Sequence, residues 1–255
     1  MLFDTHAHLY DEKFQYDRDE MLAHIFETVE YVVVPGEDLE TSAAALALAH
    51  AHPQLYCAVG YHPHLAKEMT DEAFAQLETW TATEKKVVAV GEIGLDYYYD
   101  NSPRDVQRDV FTRQIRLAKR RGLPVIIHNR DAHGDVMAIL RAERDESLFG
   151  ILHCYSGSYE MATELIGMGF YISFAGPVVF PKSTKLKEVA ARLPLEKLLI
   201  ETDSPYLTPP PYRGRRNDPS RVYYVAEELA RLHDVAVEEV IRITNANAKA
   251  VYGIA

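Results

Sequence analysis

The chain has 255 residues, of which 47% are hydrophobic and 25% charged, ordinary values for a globular enzyme with a sizeable core. Its formal net charge of −11 excludes a broad basic surface that coats nucleic acid, but it leaves room for a cleft in which bound cations handle a few phosphates. There is no apolar run of roughly 20 residues and no signal-peptide pattern at the start. Cys57 and Cys154 predict no disulfide framework. We therefore expect a cytoplasmic protein without a membrane segment.

Short apolar, β-branched runs alternate with longer amphipathic stretches along the whole chain. The runs cover residues 2–3, 31–35, 55–60, 87–91, 124–127, 149–152, 169–174 and 198–200. This alternation predicts βα units and a parallel sheet, and nearly continuous Val, Ile and Leu fits strands that are covered on both faces. Eight such units predict an α/β protein of the (β/α)8 TIM barrel class. An open, doubly wound sheet is the alternative.

The helix boundaries follow from turn residues. Ser102 and Pro103 predict the start of a helix over residues 104–121, and Gly122 with Pro124 predicts its end. An amphipathic stretch covers residues 158–168. After the eighth strand, a Pro-rich loop at 208–219 leads to a helix at 220–233 and to two short helices at 236–244 and 245–252. No linker or repeat interrupts the pattern, so residues 1–255 are expected to form one domain.

Residues that bind metals follow five of the predicted strands. In a barrel these strand ends converge on one face, where active sites are built. Two of them, His6 and His8, are two positions apart, so both imidazoles point to the same side of an extended chain. Each residue alone has a structural alternative, as a helix cap, a salt-bridge partner or a core histidine. The set as a whole predicts a metal site: His6, His8, Glu92, His128, His153 and Asp203.

Four imidazoles and two carboxylates exceed what one tetrahedral catalytic ion takes. Two divalent ions about 3.5–4 Å apart would use all six ligands. Nitrogen and oxygen ligands without a thiolate fit Zn, Mn, Ni, Co or Fe, and they leave Mg possible. Such a pair of ions lowers the pKa of a bound water, and the resulting hydroxide attacks phosphorus. Asp203 is the candidate for orienting this nucleophile and relaying its proton, with Glu92 as the second catalytic residue.

Seven motifs occur in one order between residues 4 and 219: DTHAHL, VGYHP, GEIGLDYY, HNRDAHGD, HCYSG, ETDSPYL and RGRRNDP. In these motifs the sequence resembles the TatD-family metal-dependent deoxyribonucleases of the amidohydrolase-like metal-dependent hydrolase superfamily. The resemblance implies that His6, His8 and Asp203 hold one ion. It also implies that His128 and His153 hold the other and that Glu92 bridges them. It further implies a cytoplasmic nuclease that removes nucleotides from DNA ends, from the 3′ side.

Four residues near the same strand ends are candidates for binding substrate: His62, Arg130, Tyr155 and Arg213. A guanidinium group binds phosphate oxygens in a bidentate way, and barrel enzymes often bind phosphate after the eighth strand, where Arg213 lies beside Arg215 and Arg216. Tyrosines along this rim can stack on unpaired bases. The alternatives are a structural histidine, loop salt bridges and ordinary tyrosine packing.

The expected reaction is therefore hydrolysis of DNA phosphodiester bonds by a 3′-5′ exonuclease, with single-stranded DNA ends as substrate and a monomer as the default state. The alternative is a dinuclear amidohydrolase or esterase that acts on a C–N or acyl bond of a small molecule. Many such enzymes bridge their ions with a carboxylated lysine, and residues 87–95 offer Glu92 and no lysine at that place. A metal-binding scaffold without catalysis is the third possibility.

Overall fold

The computed structural model describes residues 1–255 and contains eight strands. They form one sheet in chain order, and the strand pairs whose register is resolved are parallel. All eight predicted strands are confirmed. They are β1 (Leu2–Asp4), β2 (Val29–Pro35), β3 (Leu55–Val59), β4 (Val87–Asp96), β5 (Val125–Arg130), β6 (Gly150–Leu152), β7 (Phe170–Phe174) and β8 (Leu198–Ile200).

Two strands extend well beyond their predicted carboxyl ends. β4 continues to Asp96 and β5 continues to Arg130, so Glu92 and His128 lie within strands rather than after them. The β4–β5 register shifts between Val90 and Ile93, where the ladder is irregular. The apolar run of β4 ends before the strand does, because the polar end of the strand carries residues of the candidate site.

Nine α-helices accompany the strands. They are α1 (Arg18–Ile25), α2 (Leu39–Ala51), α3 (Asp71–Thr83), α4 (Arg104–Arg121), α5 (His133–Glu143), α6 (Tyr159–Gly167), α7 (Thr184–Arg192), α8 (Val222–His233) and α9 (Val237–Tyr252). None of them combines the length and the hydropathy that crossing a bilayer requires. The prediction of two short helices after α8 is wrong, since α9 is continuous. Asn245 and Asn247 do not break it, because their side chains donate outward, to the carbonyls of Met1 and Leu198 respectively.

The chain divides into two compact units. The first unit comprises Met1–Val34, Cys154–Gly167 and Tyr171–Ala255. Within it, the amide of Thr5 donates to the carbonyl of Ile200 at 3.2 Å, and that of His8 donates to the carbonyl of Ser204 at 2.7 Å. The first and last strands are therefore neighbours. This pairing confirms the (β/α)8 barrel class over the open sheet.

The second unit comprises Pro35–His153 and Met168–Phe170. All ten residues of β4 are buried in it. Two glutamines of α4 hold the loops that follow the strands. Gln114 bonds both the amide and the carbonyl of Tyr61, at 2.7 and 3.0 Å, and Gln107 accepts from the amide of Asp96 at 2.9 Å. The helix thereby fixes the backbone that carries His62 and Asp96. That the two units form a single domain remains a prediction.

Gly94 in β4 allows the close approach of β5. It adopts a φ of 144°, and a Cβ there would overlap the carbonyl oxygen of His128. We expect Gly94→Ala to lower the free energy of unfolding by at least about 2 kcal/mol. Gly134→Ala is the matched control, because nothing lies within 4 Å of its Cβ position, and it should change stability by less than about 1 kcal/mol. Urea unfolding measures both, and equal midpoints would contradict the expectation.

Candidate metal centre

The first cluster of candidate ligands follows β1 and β8 in the first unit. His6 and His8 direct their Nε2 atoms at each other at 3.2 Å, and Asp203 Oδ1 lies 3.8 and 3.4 Å from these two atoms. Two ligand atoms about 2.0–2.1 Å from a tetrahedral ion lie roughly 3.3 Å apart. The three donor atoms therefore have the spacing that one divalent ion requires.

Hydrogen bonds to the side chain of Asp4 hold the backbone of this cluster in place. Its side chain is fully buried and accepts from the Thr202 hydroxyl at 2.5 Å, the Thr202 amide at 2.9 Å and the His6 amide at 3.2 Å. Burial raises the pKa of Asp4 to about 8, although these hydrogen bonds oppose the rise. The bonds link the segment after β1 to the segment after β8. His6 and Asp203 are thus held together by their backbones, independently of any ion.

The second cluster lies in the second unit and centres on the buried carboxylate of Glu92. Its Oε1 atom lies 2.9 Å from His128 Nδ1, 2.9 Å from His153 Nε2 and 3.4 Å from His62 Nε2. His128 Nδ1 and His153 Nε2 are 3.4 Å apart, again the spacing of two ligands on one tetrahedral ion. A carboxylate and two imidazoles without a thiolate fit a divalent ion of borderline hardness.

His62 differs from the other imidazoles of this cluster. Burial lowers the pKa of His62 to about 4, so the ring is neutral near pH 7. Its Nδ1 accepts a hydrogen bond from the amide of His64 at 3.2 Å. The single ring proton therefore resides on Nε2, which faces Glu92. In this tautomer His62 donates a hydrogen bond to the carboxylate, and its position also allows it to hold an ion together with Glu92 and His128.

Asp96 is a residue of the site to which sequence analysis gave no role. Its Oδ2 lies 3.0 Å from His128 Nε2 and 2.9 Å from His64 Nε2, and its Oδ1 accepts from the amides of Tyr98 and Tyr99. Burial alone would raise the pKa of Asp96, but these hydrogen bonds outweigh it and lower the pKa. The carboxylate thus fixes the ring of His128 with Nδ1 directed at Glu92.

A signal for Asp96 was present in the sequence. It is four positions after Glu92 in the same strand, so the period of two puts both carboxylates on one side. The signal was missed because the apolar run ended at residue 91.

The hydrogen bonds of this network also affect the pKa of His128. Burial opposes protonation of this ring, but its hydrogen bonds to Asp96 and Glu92 outweigh that effect and raise its pKa.

The predicted substrate-binding residues occupy different environments. The exposed guanidinium of Arg130 lies over the rings of Tyr98 and Tyr99, at 4.0 and 4.8 Å from their centroids. Tyr155 is buried, donates to the carbonyl of Ser158 at 2.6 Å and packs within its own loop. Arg213 is exposed and lies 4.2 Å over the ring of Phe180. These positions leave Arg130 and Arg213 accessible to a ligand, whereas the hydroxyl of Tyr155 already has a partner in its own loop.

The basic run after β8 is partly structural. Arg216 forms a two-pronged ion pair with Asp17, at 2.7 and 2.6 Å. This pair agrees with the salt-bridge alternative for that arginine. Arg213 has no such carboxylate partner and donates only to the carbonyl of Thr208 at 3.4 Å. Sequence alone could not show that Arg216 is paired and Arg213 is not, because the partner Asp17 is distant in the chain.

We expect Asp96→Asn to weaken binding of one divalent ion by about 10- to 100-fold, because His128 loses the acceptor that orients it. Asp135→Asn is the matched control, since Asp135 accepts from Tyr97 and Arg108 and contacts no candidate ligand. Competition with a chromophoric chelator measures the affinities, and thermal unfolding of the metal-free variants tests their folding. Unchanged affinity in folded Asp96→Asn would refute the orienting role.

Comparison with known proteins places this geometry in a family. The family model described as TatD related DNase matches residues 3–253. The metal-dependent hydrolase YabD of Bacillus subtilis (strain 168) is 49% identical over 255 residues, 100% of both chains. The 3′-5′ ssDNA/RNA exonuclease TatD of Shigella flexneri serotype 5b (strain 8401) is 33% identical over 263 residues, also 100% of both.

Solved structures agree with these sequence matches. The crystal structure of YJJV, a TatD homolog from Escherichia coli k12, matches with a TM-score of 0.94 and 31% identity, covering 100% of this chain and 98% of that one. A TatD family hydrolase from Entamoeba histolytica shares the fold, with a TM-score of 0.89 and 22% identity over 100% of this chain and 98% of that one. The resemblance read from the seven motifs is confirmed. The chain belongs to the TatD family of metal-dependent hydrolases.

Proposed function

We propose that the protein is a divalent-metal-dependent deoxyribonuclease that removes nucleotides from the 3′ ends of single-stranded DNA. The observation that carries the proposal is the pair of ligand clusters with metal-type spacing, each at the carboxyl-terminal side of parallel strands. The matching family model is described as a DNase, and the Shigella flexneri relative is named as an exonuclease on single-stranded DNA and RNA. Two free thiols suit a reducing cytoplasm as the compartment.

The proposed site holds two divalent ions. His6, His8 and Asp203 would hold one, and Glu92, His128 and His153 would hold the other. Bound divalent ions supply two effects, a lower pKa for water and neutralisation of charge on a phosphodiester.

Three residues of the chain have proposed roles beside the ions. Asp203 is the most exposed side chain of its cluster, at 15% against 0% for His6, so its carboxylate is the group that reaches the attacking water and takes up its proton. Glu92 is buried and fixed by His62 and is suited to holding the ligand geometry constant. His62 remains a candidate for donating its Nε2 proton to a substrate phosphate oxygen beside Glu92.

Arg130, Tyr98 and Tyr99 form an exposed platform suited to the end of a nucleic acid strand. The two tyrosines are 59% and 53% exposed, and the guanidinium between them and solvent has no carboxylate partner. Stacking of unpaired bases on the rings and contact of the guanidinium with phosphate favour a single strand over a duplex. The backbone of both tyrosines is fixed by Asp96, which also orients His128.

Loss of one ligand from either cluster should strongly lower turnover. We expect His6→Ala and His128→Ala each to lose one bound ion and about 1,000-fold in kcat/KM, since a metal supplies several kcal/mol of transition-state stabilisation. His24→Ala, at an exposed histidine, is the control and should retain both ions and activity. The measurement is metal content together with product analysis on a 5′-labelled single-stranded oligonucleotide, with Mg, Mn and Zn in turn.

Hydrolysis of amides, lactones and esters should be assayed with the same protein in parallel with the oligonucleotide. A ladder that shortens from the 3′ end supports the proposal. A clear preference for a C–N or acyl bond would replace it with the small-molecule amidohydrolase or esterase. Metal-independent release of nucleotides would contradict it as well.

Removal of the platform should affect substrate binding more than chemistry. We expect Tyr98→Ala and Arg130→Ala each to raise KM for single-stranded DNA by roughly 10-fold, because one stacked base or one phosphate contact is lost, with a smaller change in kcat. Tyr16→Ala is the matched control, at a tyrosine that is 93% exposed. Steady-state kinetics measure the effect, and equal KM values for all variants would contradict it.

A further inference from the structure

A cleft separate from the ligand clusters lies in the first unit, between the loop after β6 and the segment that joins β7 to α7. Its volume is about 720 Å³, within the size range of pockets that bind nucleotide-sized molecules. Residues 156–160 form one wall, and residues from the segment 182–192 form the other. Both walls follow the carboxyl ends of strands, the side of a barrel on which substrates bind. None of the six candidate metal ligands lines it.

The lining of this cleft is basic and rich in hydroxyl groups. Lys182, Lys185 and Arg192 supply three cations, and Leu186 and Val189 are its two aliphatic residues. The hydroxyl groups come from serine, threonine and tyrosine side chains: Ser156, Ser158, Tyr159, Ser183 and Thr184. Three cations beside two carboxylates give the lining a small net positive charge in a chain whose net charge is −11, and this favours an anion.

Two of the cations are not engaged within the protein. Lys182 and Lys185 form no ion pair, whereas Lys187 on the same helix pairs with Glu228 at 2.8 Å. Arg192 lies 3.5 Å over the ring of Tyr159.

The cleft also contains two carboxylates, Glu160 and Glu188. Hydrogen bonds from its own backbone amide and from Ser158 lower the pKa of Glu160, and Arg192 contributes by its charge. The Glu160 carboxylate therefore has hydrogen-bond partners on its own side of the cleft. Glu188 forms no ion pair either, so the ammonium groups of Lys182 and Lys185 remain for a ligand.

The start of α7 adds to the positive potential of the cleft. Ser183 precedes the helix without a side-chain capping bond, and the first turn carries no acidic residue. A lysine at this end is unfavourable beside the positive end of the helix dipole, so an anion there would relieve the repulsion. The opposite wall differs, because Ser158 caps α6 by accepting from the amide of Met161 at 3.2 Å.

The cationic surface continues beyond the cleft. Phe180 lies two residues before Lys182, and the exposed guanidinium of Arg213 lies 4.2 Å over its ring. Arg213 therefore connects the segment after β8 with the segment after β7. Several cations on neighbouring segments fit a ligand with several phosphates better than a single free phosphate.

We infer that this cleft binds the phosphodiester backbone of the substrate strand, away from the bond that is cleaved. The inference rests on the proposed nuclease function, because it assigns the cations of the cleft to the same strand. Lys182 and Lys185 contact consecutive phosphates, and the hydroxyl groups donate to their oxygens. The site then favours substrates long enough to reach it over dinucleotides.

The test compares Lys182→Ala/Lys185→Ala with the wild-type protein and with Lys187→Ala, a control on the same helix whose lysine already has a partner. Binding of a single-stranded oligonucleotide of about fifteen nucleotides, capped with 3′ phosphorothioates, is followed by fluorescence anisotropy at several salt concentrations. Hydrolysis of an uncapped oligonucleotide and of a dinucleotide is measured beside it, all with metal-loaded protein.

We expect the double variant to bind the oligonucleotide about 10-fold more weakly and to lower the slope of log affinity against log salt by roughly 0.7 for each lysine. Its kcat/KM on the dinucleotide should equal that of the wild type. Unchanged affinity and slope, with oligonucleotide hydrolysis intact, would overturn the inference and leave the nuclease proposal standing. Weaker binding in the double variant without hydrolysis by any protein would support the cleft and contradict the nuclease proposal.

Discussion

The burial of Glu92 against imidazole nitrogens is the interaction on which the rest of the site depends. A carboxylate removed from water costs several kcal/mol unless positive charge and hydrogen bonds offset the loss. Around Glu92 the chain supplies a neutral donor, His62, and two ring nitrogens, from His128 and His153, within 2.9 Å. A bound divalent ion would offset this loss of solvation more fully than the imidazole rings alone. The same requirement explains the convergence of His6 and His8 on Asp203.

The surrounding structure serves to hold these donor atoms at fixed distances. Gln107 and Gln114 of α4 secure the loops after β3 and β4, and Asp96 orients His128 through a hydrogen bond to its Nε2 atom. Because Asp96 also binds the amides of Tyr98 and Tyr99, one carboxylate couples the ligand geometry to the exposed platform. The proposed catalytic chemistry and the proposed recognition of a strand end thus depend on one hydrogen-bond network.

Much of this could be predicted from the sequence. Eight apolar runs were enough for the barrel, and the ligand residues at their ends were enough for a metal site. The gaps have physical causes. α9 was predicted as two helices, and the distant acceptors that engage Asn245 and Asn247 within the continuous helix are invisible in a sequence. Asp96 was missed because the polar end of β4 hid the length of the strand. The cleft beside Lys182 required the walls after β6 and β7 to be seen together.

Anomalous X-ray diffraction from crystals of the Mn²⁺-loaded protein tests the central claim most directly. The account predicts two anomalous peaks, one among His6, His8 and Asp203 and one among Glu92, His128 and His153, each about 2.0–2.3 Å from its ligand atoms. Absence of density at both clusters, or a peak held by other residues while these imidazoles keep their mutual contacts, would contradict it.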